Sequence, residues 1–164
     1  MTFDSASANE FARHARNFVE WCNLKHSEES DEAFRKEALR LIAMLYATGC
    51  SLTEVAFVNS PDFPDLSKSR LDSVAANLAR LPFRNYWSVF TPSEIVEEKP
   101  GCGDLLDDFL DMYRDMHDGL LLFDAGHTQA AAYHWNQMFF HWGHHAVDAL
   151  SALHSYDPKS NYTF

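Results

Sequence analysis

From Ser7 onward, apolar residues return at helical intervals, with Phe11, Ala15, Phe18, Val19 and Cys22 on one side of the chain. Ser7 and Glu10 stand at capping-box spacing, so the pattern predicts a first helix over about 7–24. The polar stretch 26–30 reads as a loop, and Ser30 or Asp31 opens a second helix. That helix is apolar around much of its circumference (Phe34, Ala38, Leu41, Ile42, Leu45), which predicts a central position, with Gly49 as its stop. The periodicity breaks over 50–66, where Pro61 and Pro64 mark irregular chain. Ser69 and Asp72 cap a third predicted helix, with Leu71, Val74, Ala75, Leu78 and Leu81 on its core face and Pro82 at its end.

An aromatic connector follows (Phe83, Tyr86, Trp87, Phe90), and then an acidic, turn-rich stretch from Pro92 to Gly103. No segment alternates persuasively enough to read as a strand. Helical spacing resumes with Leu105, Leu106, Phe109, Leu110, Tyr113, Met116, Leu120 and Phe123. After Asp124-Ala125-Gly126 a last long helix runs to about His154, burying Trp135, Phe139, Trp142, Ala146, Leu150 and Leu153. The expected fold is an all-α, single-domain bundle of about five helices over 1–164. It has a tail at 1–6, irregular connectors at 50–66 and 88–103, and a C-terminal helical hairpin.

The polar positions of that hairpin carry the candidate chemistry. Asp104, Asp107, Asp108, Asp111, Asp115 and Asp118 fall within an arc of roughly 100° on one helix. On the next, His134, His141 and His145 share a face, with Asp148 beside them. A tight turn at Gly126 places Asp118 level with His134, Asp111 with His141 and Asp107 with His145. Aspartates four apart on a helix repel, and only Arg114 lies near to compensate them. A solvated acidic face is the plain reading of the stripe. A face compensated by arginine, imidazolium or a metal ion is the functional one.

Composition narrows the classes. Among 164 residues, 46% are hydrophobic and 14% aromatic, enough for a packed core. A net charge of −11 with 13 Lys and Arg argues against nucleic acid and anionic membrane surfaces as partners. Cys22, Cys50 and Cys102 are widely spaced and odd in number, which predicts reduced thiols. No signal-like or membrane-spanning run appears, and the expected location is cytoplasmic.

His141-x-x-x-His145 sets two imidazoles on one helical face, a spacing that can chelate a metal, with Asp111 and Asp107 as carboxylate candidates. The Glu-x-x-His repeat of di-iron bundles and the His-Glu-x-x-His of zinc proteases are both missing. No phosphate loop, nucleophile elbow or Cys-His pair appears. Glycine inside a helix costs about 1 kcal/mol against alanine, so Trp142-Gly143 predicts that a backbone or large ring approaches there, or a ligand wall.

The chain resembles the bacterial family known as domain of unknown function 5063. The resemblance rests on Leu81-Pro82-Phe83 with Tyr86-Trp87 and Phe90, then on Asp107-Asp108-Phe109-Leu110-Asp111-Met112-Tyr113-Arg114-Asp115. It continues through Gly119-Leu120, Gly126, Ala131, Trp135 and Phe139 to His141-Trp142-Gly143, His145, Asp148-Ala149-Leu150 and Ala152-Leu153-His154. It implies a soluble helical domain and carries no assigned activity, substrate or cofactor. The leading functional expectation is a non-catalytic module that binds a protein or small ligand in an acidic and aromatic groove. Its candidate residues are Asp107, Asp108, Asp111, Asp115, Trp142 and Gly143. The alternative is a metal-dependent hydrolase with His141, His145, Asp111 and Asp107 as ligands to a divalent ion.

Overall fold

In a computed structural model of the protein, residues 4–89, 92–93 and 99–159 are described. Phe90 and part of the acidic stretch after Pro92 lie outside them. Six helices and one small hairpin follow in order: α1 Ser5–Asn23, α2 Asp31–Gly49, α3 Lys68–Asn77, β1 Asn85–Ser88, β2 Gly101–Asp104, α4 Leu105–Asp124, α5 Thr128–Gln137 and α6 Phe139–Ser155.

Local sequence explains most of the boundaries. Helix α1 starts before the predicted Ser7, because the Asp4 carboxylate accepts from the amides of Ala6 and Ser7. Ser30 caps α2 through the amide of Ala33, as its spacing predicts. Ser67, not Ser69, caps α3, and that helix stops at Asn77, short of the expected end at Pro82. The end of α4 is a Schellman turn. Gly126, at φ 86°, donates to Phe123 O while His127 donates to Leu122 O at 2.9 Å.

Two expectations need correction. The strands β1 and β2 pair antiparallel, Tyr86 opposite Gly103 and Trp87 opposite Cys102. Four residues per strand, two of them glycine in β2, are too few to print an alternating pattern. The last predicted helix is two helices, which raises the count from about five to six. Neither proline nor glycine stands at the break, Met138. Instead the Trp142 indole N–H donates to Trp135 O at 3.0 Å, an inserted side-chain donor of the kind that kinks a helix.

Helix α4 is the centre of the bundle, packed on α1 on one side and on α5 and α6 on another, while α2 closes against α1 and α6. Phe109 of α4 stacks on Phe18 of α1 at 5.9 Å between centroids and meets Trp21 at 6.1 Å. Phe11 lies between Trp135 and Trp142, at 5.0 and 5.6 Å. Glycines admit both indoles: a Cβ at Gly119 would lie 2.0 Å from Trp135 Nε1, and one at Gly49 would lie 2.4 Å from the Trp142 ring. Gly49 therefore serves close packing as much as helix termination.

Candidate functional site

The site lies where α6 crosses the aspartate side of α4. The expected pairing is shifted. His141 Nδ1 meets Asp115 Oδ2 at 2.9 Å, not Asp111. His145 Nδ1 meets Asp108 Oδ1 at 2.8 Å, and its Nε2 faces Asp111 Oδ2 at 3.4 Å, so Asp107 is not its partner. His134 donates from Nε2 to the Asp115 backbone carbonyl at 3.2 Å, not to Asp118. Two histidines seven residues apart thus converge on Asp115. A continuous antiparallel helix could not bring them there, and the break at Met138 can.

The aspartates divide sharply. Asp108 and Asp115 are only 5% and 6% exposed, which departs from the solvated face that the stripe predicts. Asp111 is partly buried and also pairs with Arg114 one turn on. Asp104 is the N-cap of α4, its Oδ1 accepting from the amides of Leu106 and Asp107. Asp118 pairs with His117, and Asp107 is exposed and stands outside the cluster. Trp142 and Gly143 are core residues, the glycine approached by the Phe139 ring as a large-ring contact requires. Trp142 and Gly143 therefore lie beneath the aspartates, in the core, rather than beside them on the surface.

Burial sets the electrostatics. It pushes the Asp108 carboxyl above its ordinary value, opposed by hydrogen bonds from His145 and from Tyr86, whose hydroxyl donates to Asp108 Oδ2 at 2.5 Å. Asp115 is raised for the same reason, opposed by His141. The His145 imidazole is raised by its hydrogen bond to Asp108, which outweighs its desolvation. Burial, then Asp108, raise the Tyr86 phenol. With each oxygen of Asp108 already accepting a donor, the ionised, acceptor-only form suits the site.

A neutral imidazole that donates its Nδ1–H to Asp108 or Asp115 carries its lone pair on Nε2. Asp111, His141 and His145 offer ligand atoms that all lie within 4.8 Å of one another. His141 is 47% exposed in its side chain and His145 25%, so the cluster opens to solvent on the His141 side. Tyr86 is the participant that sequence reasoning missed. It read as part of an aromatic connector, and no spacing rule ties it to an aspartate 22 residues away.

Among solved structures, the crystal structure of the Bacteroides fragilis protein BF1032 is similar over nearly the whole fold. Its TM-score is 0.75 at 20% identity, covering 94% of this chain and 95% of that one, a likeness of fold alone. No curated protein matches the chain. No described helix is long and apolar enough to cross a membrane. A family model matches residues 4–157, nearly the whole chain, and the chain belongs to that family, described as domain of unknown function (DUF5063).

Proposed function

We propose that the protein is a helical binding module for a divalent transition-metal ion, held by Asp111 and by Nε2 of His141 and His145. The observation that carries this reading is the orientation of the imidazoles, each with its Nδ1 bound to a buried aspartate. Metal-ligating histidines are held this way, because a carboxylate on one ring nitrogen fixes the tautomer and raises the basicity of the other. The 3.4 Å between Asp111 Oδ2 and His145 Nε2 supports it too. It is about the edge of a tetrahedron with ligands at roughly 2.0–2.1 Å. Two imidazoles and a carboxylate suit zinc, iron, cobalt or nickel better than calcium or magnesium. The expected binding module thereby narrows from an acidic and aromatic groove to a metal centre.

Metal-stripped protein titrated with Co(II) or Zn(II) is expected to take up one equivalent and to gain thermal stability. Replacing both His141 and His145 by Ala should abolish uptake without unfolding the chain. Folded wild-type protein that binds none of Zn, Mn, Fe, Co or Ni rejects the proposal. Three protein ligands, one of them half-exposed, leave coordination room for water, which favours metal-assisted hydrolysis as a second reading. Hydrolysis of activated phosphate or acyl esters that depends on the loaded metal and vanishes in the double variant would support it. Activity that persists in that variant would reject it.

A further inference from the structure

The β1–β2 hairpin reaches the candidate centre through a single side chain. Tyr86 donates its hydroxyl to Asp108 Oδ2 at 2.5 Å, and the other oxygen of that carboxylate holds His145 Nδ1 at 2.8 Å. The phenol ring lies directly over the backbone of Gly103, its cross-strand partner. A Cβ there would stand 2.3 Å from Tyr86 Cζ and 2.7 Å from its hydroxyl oxygen, so only glycine leaves the ring in place. The hairpin is also fixed to the first turn of α4. Asp104, the last residue of β2, caps that helix and accepts from Arg84 Nε at 2.7 Å, while the Leu105 amide donates to Arg84 O at 2.8 Å. The segment that carries Tyr86 and the turn that carries Asp108 are thus joined by a helix cap, an ion pair and a backbone hydrogen bond.

We infer that Tyr86 is a positioning residue for the metal centre, acting through Asp108 to hold His145 with Nε2 bare and aimed at Asp111. The inference rests on the proposed metal site. Its physical basis is the burial of Asp108. A carboxylate withdrawn from water is costly where it lacks hydrogen-bond donors, and Asp108 has one on each oxygen. Without the phenol, Oδ2 is left without that donor and the carboxylate is free to turn, so that its hold on Nδ1 weakens. Loss of such an outer partner commonly weakens metal binding about 10–100-fold while leaving the ligands themselves untouched.

The test compares wild type, Tyr86→Phe and Trp87→Ala by competitive Co(II) titration against a chelator. It is paired with 15N NMR of the His145 ring in metal-free protein at alkaline pH. Trp87 sits on the opposite face of the same strand, with 65% exposure, and controls for general loosening of the hairpin. Tyr86→Phe is expected to keep one site per chain, bind about 10–100-fold more weakly, and show a second His145 tautomer that wild type lacks. Trp87→Ala should match wild type on both readouts. Unchanged affinity and tautomer in Tyr86→Phe, or an equal loss in Trp87→Ala, overturns the inference. Folded wild type that takes up no Co(II) instead overturns the metal centre itself. The His145 tautomer then still reports whether Tyr86 governs that ring.

Discussion

Toward α1, helix α4 presents Phe109 and Tyr113; toward α6 it presents Asp108, Asp111 and Asp115. Phe109, Asp108 and Asp115 are all withdrawn from water, yet by opposite physics. The aromatic side needs only contact area, and each ring there stabilises by leaving water. The aspartate side costs free energy at every group that lacks a partner, and it is tolerated because each buried carboxylate is matched to an imidazole or a phenol. A surface that folding alone would make apolar has instead been kept polar, with a partner at each buried carboxylate, and this contrast makes the α4–α6 face the place to seek function.

The largest expected effect lies on the apolar side. Phe109→Ala should cost about 3–5 kcal/mol in chemical denaturation, since the ring fills the space between Phe18 and Trp21. Metal taken up per folded molecule should not change. A loss of metal stoichiometry in the folded variant would show that the two sides of α4 are not separable.

On the polar side, Asp108→Ala strands both the Tyr86 hydroxyl and the His145 Nδ1–H, and should cost about 1–3 kcal/mol in metal-free protein. Asp115→Ala should cost less, because the His141 ring it leaves is half-exposed and water can reach it. The same denaturation measurement orders the two. An Asp115 variant the less stable would mean that pairing, rather than burial of the stranded donors, sets the cost.

The smallest effects are in the pH dependence, where two histidines should behave oppositely. His145 has its pKa raised by Asp108, so its contribution to stability is full below the unfolded value of about 6.5 and is lost as pH rises through the higher folded value. His14 is 4% exposed and has its pKa lowered, first by burial and then by Arg13, whose guanidinium donates to its Nε2 at 2.8 Å. Its contribution is full above about 6.5 and is lost as pH falls toward the lower folded value. Thermal melts of metal-free protein across pH should therefore lose part of the alkaline decline in His145→Gln and part of the acid decline in His14→Gln. Unchanged limbs in both variants would show that neither ring is coupled to folding.

How far the site could be read in advance differs residue by residue. The aspartate and histidine faces follow from spacing, because residues three and four apart on a helix share a side whatever surrounds them. Which aspartate meets which histidine was not legible. That depends on the axial offset and kink of two helices, and both are governed by Trp135 resting on Gly119, Trp142 resting on Gly49, and the indole bond to Trp135 O at the Met138 break.

Local sequence was enough to make the chain helical, to place most helix ends among the described residues within a few positions, and to set an aspartate face and a histidine face near each other. These are consequences of local periodicity and capping, which act over a turn or two of backbone. It took packing to bury Asp108 and Asp115 while Asp107 stays in water, to turn His141 to Asp115, and to bring a tyrosine from a short hairpin onto Asp108. Burial and pairing are properties of the space between elements, and that space is shaped by packing across the whole bundle rather than by the residues that line it.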